Sequence, residues 1–141
     1  DFLPDRLESG THNMPGIAGL LEGVRFVQSR GLREISDRER RMALVMAEGL
    51  REIRKMRVFA APGLRNQTGV LSIVPEGQDV ESVGQMLSER EVAVRTGIHC
   101  APLAHRSAGT LDTGTIRLSF SDFNTPEEVF QVLEIFRGLQ R

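Results

Sequence analysis

The chain has 141 residues, which is enough for one domain with a buried core. Its 18 basic and 19 acidic residues nearly cancel, so charge does not point to nucleic acid or an anionic membrane surface as a partner. No apolar run is long enough to span a bilayer, no signal-peptide pattern opens the chain, and a single cysteine cannot form an internal disulfide. We therefore expect a cytoplasmic protein with a free thiol.

The N-terminal segment predicts a loop followed by a helix. Residues 1–13 show no period and contain many turn-forming residues, whereas apolar residues recur at helical spacing over residues 14–29. Gly10 and Thr11 precede this helix, and free N–H groups with a hydroxyl at a helix start attract phosphate. The alternative is an ordinary helix cap at Thr11 or Asn13.

The middle of the chain predicts a helix, a hairpin and a second helix. Residues 32–56 carry an apolar stripe and a charged opposite face, which indicates an amphipathic helix. Two β-branched and apolar runs, residues 57–61 and 68–74, flank a Pro-Gly turn and indicate a β-hairpin. Residues 80–90 return to helical spacing.

The C-terminal part predicts two strands around a long loop, then a final helix. Strand-like runs at residues 91–95 and 114–119 enclose about twenty residues without a period, which is typical of a functional or disordered loop. Thr125, Pro126 and Glu128 form a capping box that opens the last helix. The order α-α-β-β-α-β-β-α indicates an α+β fold, with a small, mostly antiparallel sheet and helices packed on one face.

Cys100 is the candidate nucleophile of the long loop. A free cysteine is often a small buried hydrophobe, but this one lies beside His99 in a Gly- and Pro-bordered loop, and Arg95 is available to stabilise a thiolate. A zinc site of His99, Cys100 and His105 competes with this interpretation, but adjacent ligands diverge and a fourth ligand is not evident. A Cys-His hydrolase would need a third orienting group that the sequence does not mark out.

Arg117 is the candidate anion-binding residue. Strand alternation places it on the face opposite Ile116 and Leu118. An arginine on a strand at the exit of a loop is suited to bidentate binding of a carboxylate, and the alternative is a surface ion pair.

Several motifs of the chain occur together in one known family. The run RTGIHCAPLAH, followed by GTIRLS and FNTPEE, resembles the C-terminal small domain of class V, fold-type I pyridoxal-phosphate enzymes, specifically the cysteine desulfurase-like family. The resemblance extends from Leu7 onward. It implies the α+β small-domain fold and pyridoxal 5'-phosphate as the cofactor of the full-length enzyme.

The resemblance also implies roles for individual residues. Cys100 matches the cysteine that attacks the sulfur of an amino-acid substrate, cysteine or a similar one, and becomes a persulfide. Arg117 matches the arginine that binds the substrate α-carboxylate, and Arg95 matches a second arginine of the same pocket. His99 lies within the same motif and is assigned to substrate binding.

A dimer and a missing domain follow from the same resemblance. Gly10 and Thr11 match a Gly-Thr pair that reaches the cofactor phosphate of the neighbouring subunit, so we expect a homodimer. The only lysine, Lys55, matches no part of the cofactor motif. We therefore expect a fragment that is inactive alone and binds no cofactor covalently: residues 1–31 connect to a missing large domain, and residues 32–141 form the small domain.

Two other functions stay open from the sequence. One is a class V lyase, epimerase or transaminase in which Cys100 is not catalytic, and the other is a stand-alone α+β module that binds an anion. The apolar face of the helix at residues 16–27 predicts self-association. The small and polar residues of 107–113 predict a mobile segment.

Overall fold

The computed structural model describes residues 2–7 and 10–139, which belong to two compact units, residues 1–34 and 35–141. Residues 1, 8, 9, 140 and 141, which fall within the two predicted segments 1–31 and 32–141, lie outside the described residues. In chain order the helices and strands are α1 (Met14–Arg30), α2 (Leu32–Arg51), β1 (Met56–Phe59), β2 (Val70–Pro75), α3 (Val80–Ser88), β3 (Arg95–Gly97), α4 (Pro102–Ala108), β4 (Thr115–Ser119) and α5 (Pro126–Gly138). None of the described helices is both long and apolar enough to cross a membrane.

The first unit is built around α1. Asn13 caps this helix, because its side-chain oxygen accepts a hydrogen bond from the Gly16 N–H at 3.0 Å, so of the two predicted caps Asn13 is the one used. None of the described side chains of α1 is buried, and Leu20 is 69% exposed. The predicted helix is confirmed, and its apolar face is open to solvent.

The second unit contains one antiparallel sheet of four strands in the order β1-β2-β4-β3. Side chains alternate along each strand, so Leu71 and Ile73 of β2 and Ile116 of β4 are buried in the core. The other face of these strands carries polar residues, including Arg117. The predicted α+β fold with a mostly antiparallel sheet is confirmed.

Helices α2, α3 and α5 supply the rest of the core. Phe136 of α5 and Leu50 of α2 are fully buried, and burial of each such side chain contributes roughly 1.5–3 kcal/mol. Gly49 lets α2 and α5 approach closely, since a Cβ there would lie 2.7 Å from Cδ1 of Leu133. The capping box that opens α5 is present as predicted.

The helix predicted over residues 32–56 ends at Arg51, and Met56 already belongs to β1. Two further local predictions were wrong. The third strand, predicted at residues 91–95, begins only at Arg95, because Glu91 takes a left-handed conformation (φ 61°) and the Val92 N–H closes the end of α3 on the carbonyl of Leu87. The stretch predicted as an aperiodic loop contains α4, a helix of seven residues that is too short to show an apolar stripe in the sequence. Proline in its first turn and a left-handed Gly109 after its end define its limits.

Candidate functional site

Two arginines stand opposite each other on the sheet face that points away from the core. The register pairs Arg95 of β3 with Arg117 of β4, and Arg117 in turn pairs with Ser72 of β2. Ile116 and Leu118 point into the core on either side of Arg117, so the arginine side chain emerges on the opposite face. The sequence predicted a common pocket for the two arginines from resemblance alone, and the strand register now brings them together.

This pair is unfavourable unless an anion joins it. Like charges directly opposite each other in an antiparallel pair are destabilising. In addition, the Nε atom of Arg117 is buried without a hydrogen-bond partner among the described residues. A buried donor without a partner costs free energy, so the arrangement is suited to a bound carboxylate or phosphate that would satisfy it.

His99 lies beside the arginine pair in a constrained position. Its backbone is left-handed (φ 54°), which is uncommon for a residue other than glycine. Both ring nitrogens are buried without a hydrogen-bond partner within the part of the chain that the structure describes. Strain and unpaired polar atoms at the same residue are typical of a functional position.

The pKa of the His99 imidazole is lowered from its ordinary value of 6.5. Burial is the main cause, followed by the positive charges of Arg117 and Arg95 and a smaller effect of His105, while Glu81 acts in the opposite direction. His99 is therefore neutral at neutral pH. A neutral imidazole next to two cations offers one hydrogen-bond donor and one acceptor to a bound molecule.

Cys100 is exposed and immediately follows His99. The alternative of a small buried hydrophobe is therefore wrong for this residue. The thiol precedes α4, and the Ala101 N–H forms a turn by donating to the carbonyl of Ile98 at 3.3 Å. Among the described residues, no three His, Cys, Asp or Glu side chains converge as a metal site would require.

The segment after Cys100 contains His105, which the sequence analysis considered as a zinc ligand, and Thr110, to which it assigned no function. Both are buried, and Nδ1 of His105 lies 2.9 Å from the hydroxyl of Thr110. The rings of His105 and His99 meet edge to face with centroids 6.2 Å apart. A buried histidine needs a polar partner, but the sequence offers no periodic pattern that identifies it.

Two sets of predicted residues remain. Lys55 lies away from the sheet position of the arginine pair, and Gly10 and Thr11 belong to the first unit. Lys55 directly precedes β1 and stands four positions before Phe59, the β1 residue in the same row as Arg117. Gly10 and Thr11 belong to the first unit, are exposed, and precede the Asn13 cap. Gly10 has a positive φ of 80° that leaves its backbone open to close approach.

Comparison with known proteins gives consistent matches along the chain. The sequence profile of the aminotransferase class-V family matches residues 1–132. A probable cysteine desulfurase 2 of Mycobacterium leprae is 32% identical over 126 residues, which are 89% of this chain and 30% of that protein. This chain thus spans about a third of the length of such relatives.

Solved structures give the same result for the fold. An apo cysteine desulfurase from Thermococcus onnurineus superposes with a TM-score of 0.88 at 32% identity, covering 96% of this chain and 33% of that one. A cysteine desulfurase of Escherichia coli that contains an S-sulfonic acid gives a TM-score of 0.83 at 26% identity, with 97% and 33% coverage.

Proposed function

Because this chain belongs to the aminotransferase class-V family, we propose that it forms the C-terminal domain of a cysteine desulfurase-like enzyme acting on cysteine or a similar amino acid. The chain contributes an anion site for the substrate and a thiol that receives its sulfur. The observation that carries the proposal is the arginine pair of β3 and β4, which stands at the start of the segment that bears Cys100.

Arg117 and Arg95 bind the α-carboxylate of the substrate in this proposal. Two guanidinium groups on adjacent strands can grip the two oxygens of one carboxylate, and the unpaired Nε of Arg117 supplies a donor that already lacks a partner. His99 lines the same pocket in its neutral form. Its ring then contributes hydrogen bonds without adding a third positive charge.

Cys100 is the sulfur acceptor. Its thiolate attacks the sulfur atom of the substrate, so that a sulfur–sulfur bond forms while the carbon–sulfur bond of the substrate breaks. Cys100 is left as a persulfide, and the electron pair of the broken bond remains on the substrate carbon, which then takes up a proton. Exposure of the thiol at the surface of this chain is consistent with a substrate held at an interface.

This chain does not contain a complete pyridoxal-phosphate site. The cofactor serves such enzymes as an electron sink and needs a lysine for covalent attachment. Lys55 is the only lysine; it directly precedes β1 and matches no part of the cofactor motif, so it does not fit that role. We propose that the rest of a longer protein supplies the lysine, and that the 141 residues alone neither attach the cofactor nor turn over cysteine.

Gly10 and Thr11 are proposed to contact the cofactor phosphate of a neighbouring subunit, which makes the enzyme a homodimer. The exposed Gly-Thr backbone, with a positive φ at Gly10, allows close approach of an anion. The open apolar face of α1 gives such a dimer a surface to bury.

The test uses the longer protein that contains this chain, loaded with pyridoxal phosphate and supplied with cysteine. We expect Cys100→Ser to abolish sulfur release and Arg117→Gln to raise KM for cysteine. Arg65→Gln, a change at an exposed arginine between β1 and β2, should leave both parameters unchanged. Alkylation trapping and mass spectrometry should detect the persulfide on Cys100.

The outcomes separate this proposal from its rivals. Sulfur release that survives Cys100→Ser would refute the desulfurase role and favour a related lyase, epimerase or transaminase. A Cys100→Ser enzyme that still transfers amino groups, with Arg117→Gln impaired, would identify a transaminase. If no amino acid interacts with the loaded protein, the stand-alone anion-binding function becomes the better explanation.

A further inference from the structure

His105 and Thr110 form a buried polar contact with several hydrogen bonds. Both residues are buried, since His105 is 7% exposed and Thr110 is 1% exposed. Nδ1 of His105 lies 2.9 Å from the Thr110 hydroxyl and 3.3 Å from the Thr110 carbonyl oxygen. The Thr110 hydroxyl in turn donates to the carbonyl of His105 at 3.4 Å. These contacts are mutually satisfied when Nδ1 of His105 carries a proton and donates to the Thr110 oxygens.

The backbone around this contact closes on itself. Gly109 is left-handed (φ 66°), which turns the chain so that the Thr110 N–H donates to the carbonyl of His105 at 2.9 Å. The Gly114 N–H then donates to the carbonyl of Thr110 at 2.8 Å. Thr110 lies within the segment predicted to be mobile (residues 107–113) and is buried and hydrogen-bonded on both sides, and the mobility of that segment stays a prediction.

The same segment is tied to the sheet at two further points. A Cβ on Gly114 would lie 2.8 Å from Cα of Gly97, so the end of β3 and the start of β4 are in direct backbone contact. At the other end, the Arg57 guanidinium donates to the carbonyl of Ala108 at 3.4 Å, where a cation is favourable at a helix C-terminus. Helix α4 is thus linked to β1 as well as to β4.

These contacts do not include residues 98–101. Residues 98–101 join Gly97 to α4 and contain His99 and Cys100. Among the described residues, one backbone hydrogen bond has both its donor and its acceptor within 98–101, from the Ala101 N–H to the carbonyl of Ile98. We propose that His105 and Thr110 are positioning residues: their buried contact fixes α4, confines the motion of Cys100 to residues 98–101, and holds the His99 ring against the arginine pair.

The purpose of this contact rests on the proposed function, since it matters for catalysis only if Cys100 is the nucleophile. The contact between His105 and Thr110 itself does not depend on the proposed function. It can therefore be tested on the 141-residue chain without cofactor, because the core of the sheet and its helices lies within that chain. The chain has one cysteine and three histidines, which makes signals of Cys100 and His99 easy to assign.

The wild-type chain provides the first measurement. Backbone ¹⁵N relaxation should give α4 an order parameter of about 0.85, as in a rigid helix, and residues 98–101 lower values. Helix α5 serves as the internal reference. Order parameters in α4 as low as those of residues 98–101 would overturn the proposal directly, without any variant.

The second measurement compares Thr110→Val, which removes the hydroxyl at nearly equal volume, with Thr110→Ser, which keeps it. In Thr110→Val we expect hydrogen exchange of α4 amides to become about fivefold faster, the effect of losing one hydrogen bond, with α5 amides unchanged. The His99 imidazole, which faces Arg95, Arg117, His105 and Glu81, should titrate closer to its ordinary pKa once its ring is released. Thr110→Ser should behave like the wild type in both respects.

The outcomes are distinguishable. Unchanged α4 exchange and unchanged His99 titration in Thr110→Val would refute the positioning role. If Thr110→Val instead unfolds the whole chain, His105→Asn, which retains a polar atom near the Nδ1 position, is compared with His105→Leu, and the same two measurements decide. Failure of the proposed function would be recognised separately. Sulfur release would then not depend on Cys100, while the hydrogen exchange of α4 and the titration of His99 would still respond to Thr110→Val.

Discussion

Replacing Arg95 and Arg117 by glutamine, singly and together, is expected to show that the two guanidinium groups repel each other. Either single change removes the repulsion, so the double variant cannot gain it twice. The stabilisation of the double variant should therefore fall short of the sum of the two single variants. The coupling energy is the difference between the stability change of the double variant and the sum of the two single changes. Packing that a single variant loses is also lost in the double variant, so it cancels from this difference.

The expected magnitude follows from the strand register. Arg95 and Arg117 are directly opposite in an antiparallel pair. Like charges in that geometry destabilise by roughly 0.2–1 kcal/mol. Coulomb's law gives about 0.7 kcal/mol for two unit charges roughly 6 Å apart in water, which lies within that range. Arg95 is exposed and Arg117 is half-buried, so solvent screens the pair only in part.

The assay is urea unfolding followed by far-ultraviolet circular dichroism, because the chain has neither Trp nor Tyr. The four proteins of the cycle are measured at about 0.01 M salt, where the Debye length is about 30 Å, and at about 1 M, where it is about 3 Å. The coupling should be largest at low salt and clearly smaller at high salt. Sulfate at about ten times its Kd should add about 1.4 kcal/mol to the wild type and little to the double variant.

Two results would refute the reasoning. Additive single variants would mean that the guanidinium groups do not share one site, whatever the backbone register. A coupling that is the same at low and high salt would mean that the interaction is not electrostatic. In either case the carboxylate-binding role proposed for the pair would lose its physical basis.

The remaining predictions concern His99, the cap of α5 and two glycines. The pKa of His99 is lowered in the folded state, so the unfolded chain binds more protons than the folded chain as the pH falls. The contribution of His99 to the free energy of unfolding is therefore fully present above the ordinary pKa of 6.5, and it is lost as the pH falls through the lower pKa of the folded state. His99→Asn should remove that part of the pH dependence in thermal unfolding, and an unchanged slope would show that another group is responsible. Thr125→Ala should cost about 1 kcal/mol by removing the helix cap, while Thr125→Ser should be nearly neutral; equal losses would mean that the hydroxyl is not the cause. Gly114→Ala should destabilise the chain more than Gly109→Ala in the same denaturation assay. Both glycines have a positive φ, which costs about 1–2 kcal/mol for alanine, but only at Gly114 would the new Cβ also meet backbone, 2.8 Å from Gly97. Equal destabilisation by the two changes would mean that backbone conformation is the sole cost.

The predictions that succeeded rest on local signals. The α5 capping box, the Asn13 cap and the apolar period of α2 each depend on residues a few positions apart, and all are present in the structure. The errors fall where local signals are weak. The third strand begins later than predicted because Glu91 is left-handed and the Val92 N–H donates back to the carbonyl of Leu87. Helix α4 was missed because one short helix has no period to recognise.

By itself, the sequence determined the fold class, the order of the elements apart from α4, and the motif that contains Cys100, Arg95 and Arg117. Only the tertiary structure decided that the two arginines face each other, because a shift of one residue in strand pairing would send one of them to the core face. It also decided that His105 and Thr110 meet in a buried contact. Both results depend on side chains brought together by packing and strand pairing, and the spacing of residues along the chain does not specify them.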